Sequence, residues 1–131
     1  GRSTRLTALA NPAALVIGVD RSLDRLERGR GGEVALPSNA WLVRAELASF
    51  WRLLLEADDG RLAARVRRHL LLYPNPYPKQ LGKRWHCHPA FPVALQLGSR
   101  GGAALEVRSN WLTYLVELRE AVHALAHSPG V

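Results

Sequence analysis

The sequence predicts an α/β fold, a mostly parallel sheet with helices on both faces. Three observations predict it. Short, mostly apolar runs alternate with segments of helical period along the whole chain, and each strand-like run is followed by one helix-like run. A third is size, since 131 residues hold one domain and no more. Such an order implies right-handed crossovers, and it places ligands at the carboxyl ends of the strands.

The elements follow in order. Residues 3–10 read as a short helix, with Ser3 and Thr4 as cap-type residues and Leu6, Leu9 and Ala10 at helical spacing. Asn11-Pro12 stops it. Residues 15–19, Leu-Val-Ile-Gly-Val, have the composition of a strand buried on both faces, and Asp20 closes it. Ser22 caps a second helix to about Arg28. The glycine-rich residues 29–32 read as a connector. Ala40–Arg44 is a strand, and residues 47–57 a helix with Leu47, Phe50 and Leu54 on one face. Residues 65–73 form the next strand and run into a proline-rich loop. Residues 90–97 read as helical, 103–108 as a strand and 111–126 as the last helix. Its apolar stripe is Leu112, Leu115, Val116, Leu118, Val122 and Leu125.

Composition narrows the function classes. Eighteen Lys+Arg against eleven Asp+Glu give a net charge of +7, which favours polyanions, nucleic acid first. Sixteen of the eighteen are arginine, so an arginine-rich genome accounts for the excess equally well. No apolar run is long enough to cross a bilayer, so no membrane partner is expected. A single cysteine, Cys87, forms no internal disulfide and fits a reducing, cytoplasmic setting.

Three constellations carry chemistry. Asp20, at a strand end, can accept both hydroxyls of an adenosyl ribose; the alternative is a helix cap, a task Ser22 can perform instead. The run Tyr73-Pro74-Asn75-Pro76-Tyr77-Pro78-Lys79 fixes a stiff backbone after an apolar strand end and positions Asn75, Tyr77 and Lys79. Residues 79–88 interleave Lys79, Lys83, Arg84, His86 and His88 with Trp85, the composition of a single-stranded nucleic-acid surface or of a solvated basic loop. His86-Cys87-His88 places its ligands too close together to converge on one ion, and no metal site is expected. No phosphate-binding P-loop or dinucleotide glycine fingerprint occurs.

The proline loop, followed by Lys83-Arg84, resembles the signature of the tRNA (guanine-N7) methyltransferases, Pro-Asp-Pro-Trp-x-Lys with a basic run behind it. The similarity extends over nearly the whole chain. Gly1 falls where that family's Gly-x-Gly-x-Gly cofactor loop ends, and Asp20 matches its ribose-binding acid. Glu46, with Ala45 beside it, falls where an aspartate meets the adenine. Asn110 falls in the family's Thr-Asp before an aromatic-led helix, and Tyr114 on the tyrosine that follows.

The resemblance implies a Rossmann-like S-adenosylmethionine-dependent methyltransferase core and methyl transfer to guanine N7 in tRNA. It implies cofactor contacts at Gly1, Asp20, Ala45 and Glu46. The catalytic position falls on Asn75. Lys79, Asn110 and Tyr114 fall on the substrate side, and Lys83, Arg84 and His86 on the RNA backbone. Asn75 and Asn110 replace family aspartates, which suggests a divergent branch or a weakened enzyme. Guanine N7 carries its own lone pair, so its methylation requires alignment more than a base. The resemblance also implies that the first, central strand and the last two strands fall outside residues 1–131, a partial single domain. A sheet without its central strand leaves two half-edges unpaired, to be completed by other residues, a second copy or another chain. The competing expectation is a non-catalytic module of the same fold that binds RNA or protein.

Overall fold

Helix and strand alternate over residues 2–56 as the periodicity predicts, in a computed structural model that describes residues 1–28, 35–84, 87, 91 and 102–127. In chain order the elements are α1 (Arg2–Ala10), β1 (Val16–Asp20), α2 (Leu23–Glu27), β2 (Ala40–Arg44), α3 (Leu47–Glu56), α4 (Arg61–Ala64), β3 (Arg68–Leu72), β4 (Ala104–Arg108) and α5 (Leu112–Ala126). The strands pair in parallel as two separate two-stranded sheets, β1–β2 and β3–β4. The fold is therefore α/β. The chain divides into two compact units, Gly1–Phe50 and Trp51–Val131.

In the first unit Val16 pairs with Ala40 and the register runs to Asp20 and Arg44. Gly18 is required by close approach: a Cβ there would lie 2.1 Å from Thr4 Oγ1 and 3.0 Å from Thr4 Cβ. Helix α1 thus lies on the face to which Gly18 points, and Ala8, Leu26 and Ala40 are buried in this unit. On the opposite face the register partners Ile17 and Trp41 remain 41% and 59% exposed. The expectation that this strand is buried on both faces is corrected accordingly. A β-branched run reports strand propensity, but cover on each face depends on which helices fold back over it.

One side chain ties the unit together. The Asn39 amide donates to the carbonyls of Ala8, Asn11 and Ala14 at 3.0, 3.1 and 2.9 Å. Its own carbonyl accepts from Val16 N–H at 2.8 Å. Asn39 therefore satisfies the carbonyl end of α1 and sets the start of β1 against β2.

In the second unit Arg68 pairs with Ala104 and the register runs to Leu72 and Arg108. His69 and Leu71 share one face of β3 and are buried. Trp51 meets the His69 ring edge-on, with centroids 6.2 Å apart at 88°. Trp51 and Ala48 are the buried positions of α3, whereas Leu47, Phe50 and Leu54 are half-buried, so the helix turns a slightly different face inward than its sequence stripe suggests. On α5 the buried line is Tyr114 and Leu118; Leu112 and Val116, counted in the expected stripe, are exposed.

The strand expected over residues 65–73 begins only at Arg68. Asp58 and Asp59, at φ 53° and 52°, and Gly60, at φ 81°, form a left-handed turn, which short polar residues and glycine tolerate best. Arg61 clasps Asp58 at 2.6 Å, and α4 follows. Arg65 and Val66 donate their N–H groups to Leu62 and Ala63, closing that helix before extension can start. The connector at 29–32 and the helix expected at 90–97, apart from Phe91, lie outside the described residues. No helix among the described residues is long and apolar enough to cross a membrane.

Burial lowers the pKa of His69 below its ordinary value of 6.5. The unfolded chain therefore binds a proton at a higher pH than the folded one. Stability is expected to fall as pH drops below about 6.5 and to level off once the folded-state pKa is passed. The pH dependence of urea unfolding checks this: His69→Leu should flatten that part of the profile, and an unaltered slope would assign it to other groups.

Candidate functional site

The candidate residues collect at the carboxyl ends of the two strand pairs. In the first unit Asp20 ends β1, and its carbonyl accepts from Ala45 N–H at 3.1 Å. Its Oδ1 accepts from Ser22 N–H at 2.8 Å, and Arg25 approaches Oδ2 at 3.9 Å. Ser22 Oγ accepts from Arg25 N–H at 3.3 Å and caps α2. The serine thus performs the capping task that the sequence left open between the two residues. A carboxylate accepts about four hydrogen bonds, so Asp20 retains capacity for hydroxyl donors.

Gly1 lies close by. A Cβ on it would fall 2.7 Å from the Arg25 carbonyl and 2.5 Å from that of Arg28, so only glycine fits against the end of α2. Glu46 stands at the start of α3, where its Oε2 accepts from Ser49 N–H at 2.7 Å and from Ser49 Oγ at 3.1 Å, a helix cap. The structure therefore brings Gly1, Asp20 and Ala45 together, with Glu46 next in the chain.

In the second unit the carboxyl ends of β3 and β4 lie side by side. Tyr73 N–H donates to Arg108 O at 2.7 Å, carrying the ladder one residue past the strand. The proline loop that follows holds Tyr73 and Tyr77 at φ 50° and 41°, a region that residues other than glycine rarely adopt. Asn75 Oδ1 accepts from Tyr77 N–H at 3.1 Å and bridges the loop internally. Lys83, on the single turn Leu81–Lys83, sets its Nζ 5.9 Å above the centre of the Tyr77 ring. Asn75, Lys79, Lys83 and Asn110 are all exposed at this end.

Burial redirects two expected contacts. Arg84 is only 5% exposed and forms an ion pair with Glu117 of α5, so its guanidinium serves the interior and not an RNA phosphate. Tyr114 is 1% exposed, a core residue of α5 and not a substrate contact. His86 lies outside the described residues. Among the described residues no three His, Cys, Asp or Glu side chains cluster as metal ligands.

An apolar groove of about 390 Å³ runs between β4 and α5, lined by Leu105, Val107, Leu115, Leu118 and Val122 together with Arg119 and His123. None of the expected site residues lines it. Sequence reasoning did not find Asn39 or the pairing of the buried Arg84 with the half-buried Glu117. Neither carries a local signal, because an isolated asparagine and an arginine within a basic run look like surface residues. Comparison with protein families, curated proteins and solved structures found no match to the chain.

Proposed function

We propose that the protein is an S-adenosylmethionine-dependent methyltransferase with a Rossmann-like core, acting on a nucleobase nitrogen in RNA, of which guanine N7 is the acceptor implied by the resemblance. The observation that carries this reading is Asp20: a carboxylate at the end of a parallel strand, relieved of helix capping by Ser22 and set beside Gly1 and Ala45. That arrangement suits a ribose, whose two hydroxyls would donate to one carboxylate.

In this reading Asp20 holds the cofactor ribose, Gly1 admits close approach of the backbone, and Ala45 and Glu46 border the adenine. When bound, the cofactor supplies an electrophilic methyl group. Asn75 and Asn110 orient the acceptor base, and Lys79 and Lys83 neutralise phosphate. No general base is required at a ring nitrogen that bears a lone pair, so positioning supplies the main rate advantage.

Calorimetric titration of S-adenosylmethionine tests the reading. Asp20→Asn is expected to weaken binding about 10- to 100-fold, the range of a charge-assisted hydrogen bond. Absence of binding by the unsubstituted protein would sink the enzyme reading and leave a non-catalytic module.

A further inference from the structure

The carboxyl end of β3 and β4 carries features that capping and folding do not use. Tyr73, directly after β3, is 61% exposed, and Trp111, at the start of α5, is 46% exposed. They belong to one surface region: Tyr73 N–H binds the carbonyl of Arg108, and Trp111 follows Arg108 by three residues, its own N–H donated to Ser109 Oγ at 3.1 Å. Exposed large aromatics at a strand end lose apolar burial, and Tyr73 holds a strained backbone as well. Stacking a planar partner would recover the first loss.

Charge identifies the class of that partner. Residues 60–105 contain eight arginine and lysine residues and no aspartate or glutamate. An arginine-rich composition explains abundant arginine, but it does not remove carboxylates from 46 consecutive positions. Lys79 and Lys83 are the exposed members of this stretch in the loop itself. Bases that stack on aromatics while lysines follow the phosphates describe a single strand, since a duplex hides its base faces.

The polar groups narrow the base. Asn75 commits Oδ1 to Tyr77 N–H, which leaves its Nδ2 as a donor, and the exposed Asn110 amide offers one donor and one acceptor. Glu106, the acid of β4, is engaged by Arg108 at 2.6 Å and approached by Arg68 at 3.9 Å. Guanine presents adjacent N–H donors on its pairing edge and is matched by a carboxylate. Adenine, cytosine and uracil each present a donor beside an acceptor and are matched by a carboxamide, and of the three adenine offers the largest face for Tyr73 and Trp111 to stack on.

We infer that this end of the second unit binds single-stranded RNA through an adenine, stacked by Tyr73 and Trp111, read by Asn75 and Asn110, with Lys79 and Lys83 on the flanking phosphates. The inference rests on the reading of this end as the nucleobase side, and it replaces guanine with adenine as the base recognised.

Fluorescence anisotropy with labelled eight-nucleotide RNAs tests it without cofactor: oligo(A), oligo(U), oligo(C) and alternating guanine–uracil. Oligo(A) is expected to bind at least fivefold tighter than the others. Tyr73→Ala and Trp111→Ala should each weaken oligo(A) binding between about fivefold and a hundredfold, measured at a temperature where circular dichroism shows each variant fully folded. The pair Asn75→Asp and Asn110→Asp should move preference toward the guanine-containing strand. Equal affinity for all four strands, or affinity indifferent to the loss of both aromatics, overturns the inference and leaves a charge-only surface. A surface that binds oligo(A) in a protein that ignores S-adenosylmethionine would defeat the methyltransferase reading alone, and the reverse pattern would defeat this one alone.

Discussion

Glu117→Ala is expected to cost about 2 kcal/mol of unfolding free energy, between the scale of a buried ion pair broken on one side and that of a surface pair, because Arg84 is buried while the Glu117 side chain keeps 36% exposure. Arg84 is almost fully buried on the chain that follows the turn Leu81–Lys83, and Glu117 reaches it from the middle of α5. Arg84 Nε is already buried without a hydrogen-bond partner among the described residues, so the site has little reserve to satisfy a second orphaned group. Removing the carboxylate would leave a guanidinium charge that water reaches poorly. Urea denaturation measures the loss. Glu117→Gln, which keeps an acceptor, should lose less. The double variant Arg84→Met, Glu117→Leu should recover most of the loss, because an apolar pair carries no desolvation cost. A change within about 0.5 kcal/mol for Glu117→Ala would instead mark the pair as a solvent-screened surface contact.

Tyr114→Ala is expected to cost about 3–5 kcal/mol, the range for emptying a large aromatic from a packed core. Tyr114 is the largest fully buried side chain among the described residues, and Leu118, one turn on, is buried with it. The loss combines the transfer of the ring to water with the cavity left behind, and Tyr114→Leu, which fills part of that space, should lose less. RNA affinity, measured where the variant is still folded, is expected to stay unchanged, since a residue with no exposed surface touches no ligand. A selective loss of affinity at full stability would return Tyr114 to the substrate side. Tyr114, Glu117 and Leu118 share one face of α5, so the Tyr114 and Glu117 effects should not add.

Much of the local structure was legible because it depends on neighbours in the chain. The bounds of β2 and the cap of α2 by Ser22 follow from a short apolar run and from a hydroxyl three residues before an N–H that lacks a helical acceptor. The start of β3 was not legible. Residues 65–67 have no feature that forbids extension, and only the left-handed turn at Asp58–Gly60 and the closing bonds of α4 retain them outside the strand.

The candidate site divides in the same way. Asp20 was readable from its place at a strand end. That it is spared capping depends on where Ser22 Oγ points. Arg84 and Lys83 are adjacent members of one basic run, yet one is buried and the other exposed over a tyrosine ring. Tyr114 and Trp111, three residues apart on the start of α5, separate likewise into core and surface.

The sequence by itself determined the helix and strand order over residues 2–56, the positive charge and the stiff proline loop, since each depends on local propensity or on composition. Only the tertiary structure decided which arginine is interior, which tyrosine is core and which face of β1 stays open. Those outcomes depend on partners far along the chain, Glu117 for Arg84 and Thr4 for Gly18, and residues 33 and 14 positions apart leave no local mark of their meeting.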